Sequence, residues 1–135
     1  MGTITRFEDI EAWQRARELT KMMYQLTSKG EWAKDFGLRD QIRRAAVSAM
    51  SNVAEGFERR GNVEFLRFLN MAKASAGEVR SQLYVALDLG YVDRNEFADA
   101  FKLAERTSSM IAAFMGYLKN GATKSSNEAS VAPTL

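Results

Sequence analysis

The chain has 135 residues, 46% of them hydrophobic and 27% charged, which is typical of a single globular domain. It contains neither cysteine nor histidine, so disulfides, zinc fingers, thiolate nucleophiles, imidazole bases and Ser-His-Asp triads are excluded. The 19 basic and 17 acidic side chains give a formal net charge of +2, and no uncharged stretch approaches the roughly 20 residues that cross a bilayer, so we expect a cytoplasmic protein without a membrane partner.

The first predicted helix runs from about Asp9 to Ser28. Its apolar residues recur every three or four positions, which is the period of an α-helix. Thr5 and Glu8, just upstream, have the spacing of a capping box, and a loop is expected over residues 30–37. The apolar positions are Ile10, Trp13, Ala16, Leu19, Met23 and Leu26.

The second predicted helix spans about Leu38 to Glu55 and is expected to stop at Gly56. A short connection over residues 57–62 leads to the third. The apolar residues of this second helix keep a helical period, so we expect them to face the core. They are Leu38, Ile42, Ala45, Ala46, Ala49 and Val53.

The third predicted helix, about Val63 to Leu89, has apolar residues at alternating steps of four and three, which is a heptad seam. Such a seam indicates a helix packed along its whole length against neighbours. Its positions are Phe65, Leu69, Ala72, Ala76, Val79, Leu83 and Ala86.

The fourth predicted helix opens at Asp93, where Asp93 and Glu96 have the spacing of a capping box, and it stops at Gly121. Its apolar positions follow the same steps of four and three, so we expect a second seam. They are Phe97, Phe101, Ala104, Ser108, Ile111, Met115 and Leu118.

The four helices are joined by short loops, which make successive helices antiparallel neighbours. The sequence therefore predicts an all-α domain over residues 1–121 that is an up-down-up-down antiparallel four-helix bundle. Residues 122–135 are small and polar without periodicity, and we predict a disordered tail there.

Two of the helices have more apolar surface than one bundle can bury. On the fourth, no charge occurs on any face between Arg106 and Lys119. We therefore expect a homo-oligomer; the alternative is scattered surface apolar residues, which are common. The predicted contact residues are Val47, Met50, Ser109, Ala113 and Gly116.

One polar stripe lies between the apolar flanks of the second helix. Its single carboxylate has no partner acid, base or metal ligand at a recognisable spacing, so we expect no catalysis, no metal and no cofactor. A hydrogen-bonded structural network is the favoured interpretation, with Arg44 beside Ser48 and Glu55 beside Arg59. The stripe consists of Gln41, Arg44, Ser48, Asn52 and Glu55.

Residues 41–60, QIRRAAVSAMSNVAEGFERR, are similar to the RRAxxSxxxNxAEGxxR signature of the four-helix-bundle proteins encoded by intervening sequences in bacterial 23S rRNA genes and their stand-alone relatives. Ala49-Met50 departs from the Ile-Pro that the family often has, which removes a kink. The resemblance covers about residues 7–118. Further matches are Phe7, Ile10, Trp13, Gln14, Phe36, Gly37, Leu38, Phe65, Phe68, Leu69, Ser75, Glu78, Leu89, Gly90 and Tyr91.

The resemblance implies a homopentamer of four-helix bundles around a central channel, which agrees with the excess apolar surface. It also implies a role associated with RNA, because such genes lie within rRNA genes. A similar bundle serves as the accessory protein of diversity-generating retroelements, in which a basic pentamer is held to engage nucleic acid and reverse transcriptase.

Two functions follow as hypotheses. The first is a non-enzymatic, oligomeric protein that contacts the phosphates of RNA or DNA, since residues 39–80 have a net charge of +3 and the rest −1. Acidic residues expected at the same end of the bundle count against this first hypothesis. The second is a scaffold without a nucleic-acid role, in which the oligomer displays its tail or a groove to a protein partner. The candidate phosphate-binding residues are Arg43, Arg44, Arg59, Arg60 and Arg67.

Overall fold

The computed structural model describes residues 4–121, which form four α-helices and no strand. The helices are α1 (Glu11–Leu26), α2 (Phe36–Phe57), α3 (Gly61–Asp88) and α4 (Arg94–Lys119). Short 3-10 helices at Phe7–Asp9 and Gly30–Lys34 precede α1 and α2. The predicted all-α class is therefore confirmed. The predicted tail over residues 122–135 lies outside the described residues.

The helices form a bundle in which each packs against the next and α4 packs against α1. Helices α1 and α3 therefore lie across one diagonal, and α2 and α4 across the other. One core cluster includes Met23 near the end of α1, Ile42 near the start of α2 and Leu83 near the end of α3. A second cluster at the other end includes Val53 and Phe65. The ends that meet in each cluster are those of antiparallel neighbours.

The heptad seam predicted for α3 is confirmed, because all seven of its residues are fully buried. The seam of α4 was only partly right. Phe97, Phe101 and Met115 are half-buried, while Phe114 lies in the core. The two phenylalanines pack both against the edge of the first core cluster and against the exposed ring of Tyr84, with ring centroids 5.2 and 5.3 Å away. This end of α4 therefore places its aromatic side chains at the edge of the bundle.

The helix starts test two predicted capping boxes. At α4 the box is confirmed: the Asp93 carboxylate accepts a hydrogen bond from the Glu96 amide, and Glu96 accepts one from the Asp93 amide, at 2.7 and 3.0 Å. At α1 the predicted Thr5 and Glu8 box is wrong. The N-cap is Ile10, which has no side-chain oxygen, and the 3-10 helix separates Thr5 from the first turn of α1.

Helix α2 starts two residues earlier than predicted, because Asp35 caps it by accepting a hydrogen bond from the Leu38 amide at 3.2 Å. The other carboxylate oxygen accepts the Tyr91 hydroxyl at 2.9 Å, and this bond raises the pKa of Tyr91. Tyr91 also stacks on Trp32, which the preceding 3-10 helix places in the core with no exposed surface. The predicted loop is thus a packed element.

Gly56 does not stop α2, as the sequence analysis predicted, but lies buried inside its last turn. A Cβ atom there would lie 2.8 Å from the Phe68 Cβ and 3.3 Å from the Phe65 carbonyl oxygen. Both contacts involve atoms that cannot swing away. Glycine is required at this position because α2 and α3 approach each other closely, and not because the chain turns there.

We expect Gly56→Ala to lower the free energy of unfolding by about 1–3 kcal/mol, because overpacking must separate α2 from α3. Gly77→Ala is the matched control: its Cβ would meet nothing closer than 3.8 Å, so the better helix propensity of alanine should raise stability by up to about 1 kcal/mol. Urea unfolding at one fixed protein concentration measures both. A Gly56→Ala protein as stable as the wild type would contradict this packing.

Candidate nucleic-acid interface

The predicted polar stripe divides into a packed part and an exposed part. Ser48 Oγ and Ser75 Oγ lie 2.9 Å apart and share a hydrogen bond that joins α2 to α3. Asn52 Nδ2 donates to the carbonyl oxygen and the Oγ of Ser48, at 2.9 and 3.0 Å. Gln41, Arg44 and Glu55 are instead exposed. The packed part of the stripe therefore holds two helices together.

Arg44 does not contact Ser48 in the way we expected. Within residues 4–121 its side chain has no hydrogen bond, ion pair or ring contact. Glu55 does lie beside Arg59, at 3.7 Å between the carboxylate and the guanidinium group. Both of these side chains are about half exposed, so the pair contributes little to stability. Arg44 is thus available to a ligand without any change in the fold.

Arg43 is held against the end of α1. Its Nε donates to Thr27 Oγ1 at 2.7 Å and its Nη2 donates to Ser28 Oγ at 3.1 Å. The guanidinium group also lies 4.4 Å from the centre of the Tyr24 ring. A cation at this position is favoured by the partial negative charge of the α1 C-terminus. Three neutral partners therefore orient Arg43.

Two of the predicted arginines meet on one aromatic ring near the turn between α2 and α3. The guanidinium groups of Arg59 and Arg67 lie 4.7 and 4.9 Å from the centre of the Phe68 ring. Arg67 also pairs with Glu64 at 3.2 Å, and that hydrogen bond lowers the pKa of the Glu64 carboxyl. Arg60 is exposed in the turn itself. Three arginines are thus concentrated at one end of the α2–α3 hairpin, while Arg43 and Arg44 lie further along α2.

The sequence analysis missed a second concentration of positive charge, which lies in an open groove of about 560 Å³ between α3 and α4. Arg80 comes from α3, and the other residues come from α4. Lys102 and Arg106, four positions apart on one helix face, were the only available signal, because nothing in the sequence alone places Arg80 beside them. The groove is lined by Arg80, Lys102, Glu105, Arg106, Ser108 and Ser109.

The predicted contact residues for an oligomer lie on two different helices. Val47 and Met50 are on α2, with Val47 37% exposed. Ser109 and Ala113 are exposed on α4, and a Cβ atom on Gly116 would meet nothing within 4 Å. Val47 lies in a groove beside Tyr24 of α1, and Ala113 lies in a groove beside the start of α1, so these two residues adjoin different parts of the same helix.

An apolar groove of about 320 Å³ adjoins the α4 set, between the start of α1 and the end of α4. Tyr117 lies in this groove, and burial raises the pKa of its hydroxyl to about 12. The groove is lined mainly by apolar residues, with Glu11 as its one charged side chain. Its lining consists of Ile10, Glu11, Ala12, Met110, Ala113, Phe114 and Tyr117.

Residues 4–121 contain no group of three or more acidic side chains placed to hold a metal ion. None of the helices in this part of the chain is both long and apolar enough to cross a membrane.

These features define an all-α protein, a four-helix bundle with arginines on its outer surface. The profile of the 23S rRNA-intervening sequence protein family matches residues 8–113, and the chain belongs to this family. A crystal structure of a protein of unknown function from the S23 ribosomal protein family of Bacteroides thetaiotaomicron VPI-5482 has the same fold. Its TM-score is 0.71 at 18% identity, over 77% of this chain and 97% of that one. No match is found among curated proteins.

The division of the polar stripe predicts different effects for two isosteric substitutions. We expect Asn52→Asp to lower the free energy of unfolding by about 1–3 kcal/mol, because it replaces a donor with a carboxylate oxygen beside the Ser48 carbonyl. Glu55→Gln removes only an exposed ion pair and should change stability by less than about 1 kcal/mol. Chemical unfolding compares the two. Equal effects would mean that the stripe acts as one unit.

Proposed function

We propose that the protein is a non-enzymatic, oligomeric four-helix bundle that associates with RNA or DNA by contacting phosphates, without reading base sequence. The observation that carries this proposal is the pair of guanidinium groups, from Arg59 and Arg67, held on the Phe68 ring beside Arg60. Because the ring already orients these groups, they lose little rotamer freedom when they bind a phosphate.

The existing ion pairs of Arg59 and Arg67 do not oppose this function. Both pairs are solvent-exposed, and such pairs contribute at most about 1 kcal/mol, so a phosphodiester can replace the carboxylates. The family name, which refers to sequences intervening in 23S rRNA, also favours an association with RNA. Asn52 is hydrogen-bonded to Ser48 in the packed part of the polar stripe, which supports a structural role for it. Such a role agrees with a protein that catalyses no reaction.

The assembly we propose is a ring. The α2 and α4 contact sets lie on different helices and differ in their residues, so a contact between the two sets on neighbouring copies joins unlike surfaces. Contacts between unlike surfaces form closed rings when the rotation between copies closes. The apolar side chains of Val47 and Met50 match the low charge of the groove beside Ala113 on a second copy. Five subunits is the number that the family resemblance implies.

We expect light scattering of the purified protein to give a multiple of the 15.1 kDa chain mass. Ala113→Glu should dissociate the assembly and leave the far-UV circular dichroism unchanged, because a carboxylate buried without a partner at a close-packed face is costly. Ala98→Glu, the same substitution at an exposed position near the start of α4, is the control. A monomeric wild-type protein at micromolar concentration would refute the assembly.

For nucleic acid, the sharpest variant is Arg44→Gln with Arg60→Gln, since within residues 4–121 neither exposed side chain makes a hydrogen bond, ion pair or ring contact, and their loss leaves packing intact. Binding to a duplex of about 16 base pairs should weaken alike for unrelated sequences. The slope of log K against log salt should fall by about 0.9 for each lost phosphate contact. Fluorescence anisotropy across a salt series measures both.

The control for this experiment is Lys21→Gln with Arg94→Gln, which removes two exposed charges elsewhere on the bundle. It should leave the affinity for the duplex close to that of the wild type. If the wild-type protein binds no RNA or DNA at low salt, the nucleic-acid function is wrong. The scaffold hypothesis then becomes the better one, and the apolar groove between α1 and α4 is the observation that favours it.

A further inference from the structure

The basic groove between α3 and α4 differs from the arginines of the α2–α3 hairpin in having no competing carboxylate partner. Among the ion pairs of residues 4–121, none involves Arg80, Lys102 or Arg106. Glu105 is the one carboxylate that lines the groove, against three cations. The groove is therefore net positive, and an anion entering it displaces no existing ion pair.

Arg80 is held in place from two sides. Its Nη1 donates to Ser108 Oγ at 2.6 Å, and Ser108 is buried. Its Nη2 lies 3.8 Å from the point where a Cβ atom on Gly77 would be, so the guanidinium group packs against α3 at Gly77, where no side chain intervenes. The N–H groups that do not bond Ser108 remain available to the oxygens of a phosphate.

Tyr84 lies one helical turn beyond Arg80 on the same face of α3. Its side chain is 51% exposed, although its ring contacts both Phe97 and Phe101. Those two rings stack on each other with centroids 5.3 Å apart. Tyr84 is thus a supported aromatic surface open to solvent. Tyr84 does not itself line the basic groove, but it adjoins it. Positions one turn apart have Cβ atoms about 5–6 Å from each other, and the Tyr84 ring contacts Phe101, the residue before Lys102 of the groove.

We propose that this groove and Tyr84 form a binding site for single-stranded nucleic acid, in which the three cations contact backbone phosphates and a base stacks on the tyrosine ring. A positive groove beside an exposed aromatic ring is the combination that recognises single strands without sequence preference. A duplex satisfies only half of this site, because its bases are already stacked on one another. This site rests on the proposed function, and it adds to that function a ligand, single-stranded nucleic acid, and a location, the groove between α3 and α4.

The test uses the full chain and a labelled deoxythymidine oligonucleotide of about 16 nucleotides, which has no self-pairing, in fluorescence anisotropy. Lys102→Gln with Arg106→Gln should weaken binding about 10-fold and lower the salt slope by about 0.7 per lost contact. Tyr84→Leu should weaken binding about 10-fold with an unchanged salt slope, because stacking releases no counterions. Tyr84→Phe keeps the ring and should bind like the wild type.

The controls separate the two proposals. Lys21→Gln with Arg94→Gln also removes one lysine and one arginine and should have no effect. If nucleic acid binds but only Arg44→Gln with Arg60→Gln weakens it, the proposed function stands and this site is overturned. If the wild-type protein binds neither the oligonucleotide nor the duplex at low salt, both fail. Far-UV circular dichroism and the urea midpoint confirm that each variant is folded.

Discussion

The close approach of α2 and α3 is the constraint on which the other features of the bundle depend. Gly56 lies against Phe65 and Phe68 with no space for a methyl group, and Ser48 bonds Ser75 across the same interface. The α3 seam is fully buried along its length, so α3 cannot shift or rotate relative to α2 without exposing it. This pair positions the remaining helices, since α1 packs on α2 and α4 packs on α3.

The same interface determines where positive charge is displayed. Phe68, whose Cβ lies nearest to Gly56, is also the ring that holds Arg59 and Arg67 on its outer side. On the side of α3 that packs against α4, Arg80 donates a hydrogen bond to Ser108 and lines the basic groove. Helix α3 is therefore apolar toward the core and cationic on both flanks. Arg80 is fixed by a neutral partner, and the carboxylate partners of Arg59 and Arg67 are exposed, so an anion from outside meets little competition for these three groups.

Much of the bundle could be predicted from local patterns. The α3 seam and the Asp93 capping box were right, because heptad spacing and cap chemistry act within a few residues of each other. The predicted helix stop at Gly56 was wrong, because the sequence does not distinguish a glycine required for close helix packing from one required for a turn. The aromatic residues of α4 were placed in the core, because hydrophobicity does not reveal that Tyr84 offers a surface partner at the bundle edge.

The sequence by itself determined the helical class, the approximate helix limits and the family, since each depends on periodicity and on motifs read along the chain. Only the tertiary structure decided which polar residues are available to a ligand. Arg43 and Asn52 are hydrogen-bonded to neighbours, while Arg44 is exposed and makes no hydrogen bond or ion pair within residues 4–121. It also brought Arg80 beside Lys102. The reason is physical: hydrogen bonds and charge clusters between helices depend on how the helices pack, and helical periodicity contains no information about that packing.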